Sequence, residues 1–226
     1  MADYIALFRV EPSPGAARCF AEDLRIACRG YDVSKVFLHG DGVEAMAELA
    51  SDAPTGVDWL VCRTSLERRS SPGHSLVDAL IPPFRLATLA AFYQSVLSAE
   101  RVDSAGLGGR ACFTMPPTGQ TSRSGGRLLM EVGFAPLDER QQRETLEMAL
   151  GAAALELDAC VLFSGDGLAH LDAEGARGWR QLTDFGLLEI YVEDPLGRFG
   201  SEIVTRALDS GRAAQLRAGA ATILIL

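Results

Sequence analysis

The side chains best suited to covalent chemistry in this sequence are five cysteines, Cys19, Cys28, Cys62, Cys112 and Cys160. Their number is odd and no spacing forms a C-x-x-C pair, which argues against a disulfide framework and a structural zinc site. Three histidines, His39, His74 and His170, are scattered without metal-ligand spacing. No G-x-S-x-G elbow supports Ser/His/Asp catalysis, and no glycine-rich phosphate loop opens a helix. Neither a metal nor a cofactor is therefore expected. What remains is thiol chemistry, in which the thiolate attacks sulfur in persulfide transfer or disulfide exchange.

Cys62 is the strongest candidate. It closes the apolar run Val57 to Cys62 and is followed by Arg63-Thr64-Ser65-Leu66-Glu67-Arg68-Arg69. Three nearby arginines would favour thiolate over thiol, and a loop position would leave the sulfur accessible. The competing reading is a core cysteine, the commoner fate of a Cys at a strand end. Cys28 falls on an apolar helix face and Cys160 opens an apolar strand, so both read as structural. Cys19 borders the same helix face and stays ambiguous. Cys112 sits in a polar stretch where nothing shapes a site around it.

The elements that must position Cys62 are written twice. Val36-Phe37-Leu38-His39-Gly40-Asp41-Gly42-Val43 matches Val161-Leu162-Phe163-Ser164-Gly165-Asp166-Gly167-Leu168. Each is an apolar strand that ends in Gly-Asp-Gly. A helical pattern precedes each copy, with Phe20, Leu24, Ala27 and Cys28 on one face in the first and Leu146, Leu150 and Ala153 in the second. Further apolar strands, Tyr4 to Val10 and Leu128 to Phe134, precede those helices. Strand–helix–strand predicts a parallel sheet with right-handed crossovers. Third strands are expected at Val57 to Cys62 and Leu188 to Val192. Helices are expected at Pro83 to Leu97 and Ser201 to Leu208, and closing strands at Arg101 to Asp103 and Ala221 to Leu226. The stretch from Ser104 to Gly126 is rich in Gly, Ser, Thr and Pro and reads as a linker. The organisation is a first unit over 1–105, a linker over 106–126 and a second unit over 127–226.

Ligands of an open α/β sheet bind beyond the carboxyl ends of its strands. Gly40, Asp41, Gly42 and Arg63 would share that edge with Cys62, and His39 is the one histidine beside it. The plain reading of Gly-Asp-Gly is a tight turn, with glycine supplying positive φ and aspartate capping. That reading is preferred for Asp166 and leaned to for Asp41.

The 226 residues are 48% hydrophobic and 23% charged, as in ordinary globular proteins, with a formal charge of −9. An acidic surface repels phosphate backbones, so direct nucleic-acid binding is not expected. MADYIALFRV lacks the basic start and cleavage site of a signal peptide, and no apolar run is long enough to span a membrane. A cytoplasmic protein follows by default.

The first unit resembles the DsrE/TusD sulfur-relay proteins. The residues that carry the resemblance are Glu11-Pro12-Ser13-Pro14-Gly15, Val36 to Val43, Leu60-Val61-Cys62 with Arg68-Arg69, and Leu97 to Val102. The second unit resembles the companion DsrF/TusC proteins through Leu146 to Ala154, Val161 to Leu168, Phe185-Gly186-Leu187 and the terminal strand. The resemblance implies two tandem three-layer α/β/α units, each with a mainly parallel sheet of about five strands. It implies that Cys62 accepts sulfane sulfur as a persulfide, for tRNA 2-thiouridine synthesis or sulfur oxidation. It also implies an upstream sulfur donor, a TusB/DsrH-like subunit and a TusE/DsrC-like acceptor, and a homo-oligomer of the fused chain is expected. Ser70-Ser71-Pro72-Gly73-His74 and Pro82-Pro83 depart from the family's wording. In the second unit Glu193 falls where the first has Cys62, and a carboxylate cannot carry a persulfide. Two other functions remain open: a non-catalytic assembly or regulatory protein on the same fold, and a small-molecule- or nucleotide-binding α/β domain.

Overall fold

The computed structural model describes residues 4–8, 16–30, 33–70, 77, 80–99, 101–105, 126–172, 175–194 and 206–226. The chain divides into two compact units, Met1–Ser122 and Arg123–Leu226. Apart from Gly126, the expected linker at 106–126 lies outside the described residues, as do Cys112 and His74.

The first unit runs β1 (Tyr4–Phe8), α1 (Ala16–Gly30), β2 (Lys35–Leu38), α2 (Ala45–Leu49), β3 (Asp58–Cys62), α3 (Arg63–Arg69), β4 (Phe84–Ala87), α4 (Leu89–Ser98) and β5 (Arg101–Ala105). Its sheet has the order β4-β3-β2-β1-β5 and every pairing is parallel. Alternation sends Val36, Leu38, Trp59, Val61 and Phe84 to one face, where they bury against Phe20, Ala21 and Leu24 of α1 and Met46 and Leu49 of α2. Phe37, on the other face, packs against Phe92 of α4 with ring centroids 4.7 Å apart. Helices thus cover both faces of the sheet.

The second unit repeats this plan. It runs β6 (Leu128–Val132), α5 (Glu139–Ala154), β7 (Ala159–Phe163), α6 (Ala176–Asp184), β8 (Glu189–Glu193), β9 (Arg206–Leu208), α7 (Ser210–Gly219) and β10 (Thr222–Ile225). The sheet order β10-β6-β7-β8-β9 is the same order, read from its other edge, and again all parallel. Leu129, Cys160, Leu162 and Tyr191 bury against Ala213 of α7, with Leu216 packed at the margin. Phe163 points to the opposite face and meets Trp179 of α6 edge-on at 4.9 Å. Both units are therefore α/β/α, with the parallel sheets that the paired strand patterns predict.

Three expectations about elements are corrected. The helix expected over Pro83–Leu97 begins only at Leu89. Thr88 caps it by accepting a hydrogen bond from the Ala91 N–H at 3.2 Å, which leaves Phe84–Ala87 free to pair with β3. Of the helix expected over Ser201–Leu208, residues 201–205 lie outside the described residues and Arg206–Leu208 is an edge strand; α7 begins after Asp209, which accepts from Arg212 N–H at 2.8 Å. In α5 the buried stripe is Gln141, Glu144, Thr145, Met148, Ala149 and Ala152, whereas Leu150 is exposed. Polar residues hold that stripe because Asp138 accepts from Gln141 N–H (2.8 Å) while Gln141 accepts from Leu137 N–H (2.6 Å), which locks the first turn.

Candidate functional site

The candidate site lies at the carboxyl edge of the first sheet. β2 ends at Leu38, which pairs with Val61 of β3. The next residues, His39 and Cys62, both keep extended backbone, at φ/ψ of −132/156 and −62/116. The strand alternation therefore carries through, and His39 and Cys62 project as neighbours from the face that α4 covers. The His39 ring stacks on Phe37 of that face, with centroids 6.4 Å apart and planes 18° from parallel.

Gly40 opens a single 3-10 turn, Gly40–Glu44, with φ of 59°. Its counterpart Gly165 has φ of 52°, the left-handed conformation that glycine adopts without a Cβ penalty. The second glycine of the later copy is needed for a different reason: a Cβ on Gly167 would lie 2.0 Å from the Val132 carbonyl oxygen.

Asp41 reaches beyond its own turn. Its carboxylate forms an ion pair with the Arg69 guanidinium, and the two side chains are only 7% and 6% exposed. Arg69 also donates to the Ser65 carbonyl at 3.1 Å, and Gly40 N–H donates to the Ser65 hydroxyl at 3.0 Å. Together these bonds dock α3 onto the Gly-Asp-Gly turn. Gly40, Asp41 and Gly42, all buried, are thus the seat that fixes where β3 ends and α3 begins.

That seat changes the expected setting of Cys62. No loop follows the cysteine, because α3 starts at the next residue, and Cys62 is 1% exposed. Two of the three arginines are engaged by carboxylates. Arg69 is held by Asp41, and half-exposed Arg63 leans toward Glu67 at 3.8 Å. A cleft of about 410 Å³ on the α4 side is lined by Leu60, Arg63, Ala87 and Thr88 among others, but not by Cys62. Ala87 is the register partner of Cys62 in β4, so the cleft reaches the residue beside it.

The other cysteines sort by burial. Cys19 is exposed. Burial pushes the Cys28 and Cys160 thiols up to about 11, which keeps both protonated at neutral pH.

The second unit carries a different set at the equivalent edge. Phe163 pairs with Val192 as Leu38 pairs with Val61, so Ser164 and Glu193 stand where His39 and Cys62 stand. Glu193 accepts from Arg217 of α7 at 2.6 Å. The same guanidinium bonds Glu131 of β6 at 2.6 Å, and Ser164 donates to Glu131 at 3.2 Å. These bonds hold the Arg217 guanidinium well above its ordinary range. Asp166 is exposed, unlike Asp41. The second edge is a closed salt-bridge network with no nucleophile in the cysteine's place.

His39 is the residue the sequence undervalued. The signal was present: it follows the second strand by one residue, as Cys62 ends the third, and parallel register brings the two together. His170, by contrast, is buried within the second unit, near Phe163. Among the described residues, no cluster of His, Cys, Asp and Glu is placed to hold a metal ion, and no helix is long and apolar enough to cross a membrane. The chain matches no protein-family model and no curated protein.

Proposed function

We propose that the first unit is a sulfane-sulfur carrier in which Cys62 accepts sulfur from a donor persulfide and passes it to a partner thiol. The observation that supports this reading is the paired edge geometry. One copy of a duplicated fold presents Cys62 beside His39 at the carboxyl ends of parallel strands, and the other presents Glu193 bound by Arg217. Carboxyl edges are where open α/β sheets place their chemistry.

The transfer is balanced without a redox partner. The Cys62 thiolate attacks the outer sulfur of the donor persulfide, a new S–S bond forms at Cys62, and the donor leaves as a thiolate. The acceptor thiolate then attacks the outer sulfur of the Cys62 persulfide and releases the Cys62 thiolate. Because Cys62 is 1% exposed, each exchange requires α3 or α4 to move and uncover the sulfur. The cleft lined by Arg63 and Ala87 offers an open approach. In this reading the chain works in the cytoplasm as a homo-oligomer, with a TusB/DsrH-like subunit and a TusE/DsrC-like acceptor, in tRNA 2-thiouridine synthesis or sulfur oxidation. The second unit serves as a structural companion.

Intact-mass analysis after incubation with a persulfide donor tests the proposal. Wild type should gain one sulfur atom and Cys62→Ser should not. Equal loading of the two proteins, or no loading of either, would overturn it. The burial of Cys62, with Arg63 and Arg69 engaged by carboxylates, favours a second reading: an assembly protein on this fold whose cysteine is a core residue. In that case Cys62→Ala should keep every partner interaction.

A further inference from the structure

We infer that His39 is the proton acceptor that turns the Cys62 thiol into its reactive thiolate. The inference rests on the sulfur-carrier reading and names a residue to which that reading gives no part.

Three observations lead to it. The first is register. Leu38 and Val61 are paired, both following residues are extended, and neighbouring strands lie about 4.8 Å apart. An imidazole and a thiol that leave one sheet face side by side at that spacing are within reach for proton transfer. The stacking of His39 on Phe37 fixes which face its ring occupies.

The second is the cost of ionising a buried thiol. Cys28 and Cys160 show what burial does in this protein, since both are pushed up to about 11. Cys62 is as buried as Cys160. A thiolate at neutral pH needs either a positive field or a nearby base. Arg69 is paired with Asp41 and Arg63 leans toward Glu67, which weakens what these two guanidinium groups contribute. His39, 2% exposed, is a base at the neighbouring register position.

The third is the contrast between copies. Where the nucleophile is lost to Glu193, the histidine position holds Ser164. Serine accepts no proton at neutral pH, so the base position and the nucleophile position differ together.

The proton inventory closes. His39 takes the proton from the Cys62 sulfur, giving an imidazolium beside a thiolate. The thiolate attacks the donor's outer sulfur, and the departing donor thiolate takes the proton back from the imidazolium. Charged and titratable groups lie around the pair, Arg68 of α3 among them. Asp41 and Arg69 beyond the turn neutralise each other. Arg63 and Glu67 of α3 do so partly. Tyr93 of α4 is held neutral, because burial pushes its phenol well above the ordinary range. β1, the other neighbour of β2, has no charged residue between Tyr4 and Phe8.

The test measures alkylation of the full chain by iodoacetamide from pH 5 to 10. Peptide mass spectrometry follows Cys62 apart from the other four cysteines. In wild type the Cys62 rate should level off at a lower pH than that of Cys28, whose thiol is pushed up to about 11. His39→Gln should move that inflection upward by at least one unit, which slows Cys62 about tenfold at pH 7, because the rate follows the thiolate fraction. Cys19 in the same sample should be unchanged, and a thermal melt of His39→Gln within a few degrees of wild type establishes that the variant is folded. His39→Asn serves if the glutamine variant is not. An identical pH profile in wild type and the folded variant overturns the inference and leaves the sulfur-carrier reading standing. A shifted profile with no persulfide loading supports the proton pair and overturns the carrier reading. A Cys62 that resists alkylation at every pH overturns both.

Discussion

The buried pair of Asp41 and Arg69 makes a quantitative prediction about how the site is held. The two side chains are 7% and 6% exposed, so each relies on the other for compensation. Asp41→Ala leaves a guanidinium that cannot lose its charge in a place that water barely reaches. Breaking one side of a buried ion pair costs about 3–5 kcal/mol. Glu44, 3.7 Å from Arg69 Nε, offers partial replacement, which puts the expected loss near the lower end, about 3 kcal/mol. The double variant Asp41→Leu with Arg69→Met removes both charges and should recover most of that loss, because apolar replacements of buried pairs are often neutral. Urea unfolding followed by tryptophan fluorescence reads the effect. Trp59 lies in the first unit and Trp179 in the second, so a Trp179→Phe background isolates the first. Since the pair docks α3, Asp41→Ala should also speed alkylation of Cys62 in the native protein. The reasoning is wrong if Asp41→Ala stays within about 1 kcal/mol of its parent, or if the double variant loses the sum of the two singles.

Two further outcomes are expected in the second unit. The folded Cys160 thiol is raised from its ordinary value near 9 to about 11, so above pH 9 the unfolded chain releases a proton that the folded chain keeps. Stability therefore falls as pH rises from 9 to 11, by about 3 kcal/mol from this residue, and a urea-midpoint series should show that decline flattened in Cys160→Ala. Arg217→Met leaves Glu131 and Glu193 without their shared donor and should cost about 1–3 kcal/mol on the Trp179 unfolding signal. Arg217→Lys should recover part of that loss.

Much of the architecture was legible because it is written in local periodicity, and written twice. Apolar runs ending in Gly-Asp-Gly after a helical stripe predicted the parallel core of each unit, and the pairings β1–β2–β3 and β6–β7–β8 follow that reading. The edge strands β4 and β9 were missed for a common reason. Each is short, half-exposed and joined directly to a helix, so its apolar residues merge into the helical pattern. Thr88 and Asp209 were the available boundary signals, since each caps the following helix. The stripe of α5 departs from apolar periodicity because Gln141 and Glu144 are buried in it while Leu150 is exposed.

The duplication, the alternation of strands and helices, and the cysteine at the end of the third strand with a carboxylate in the matching place of the second copy are all written along the chain. Local chain geometry is enough for these, since strand and helix periods are properties of neighbouring residues. Tertiary structure alone decided the environment of that cysteine. The run of arginines suggested a charged and open loop. In three dimensions Arg69 turns back to Asp41, 28 residues earlier in the chain, α3 closes directly onto β3, and the sulfur is buried. Parallel register, a relation between strands some twenty residues apart, set His39 beside it. Charge pairing and burial depend on which distant residues meet, and no reading along the chain contains that information.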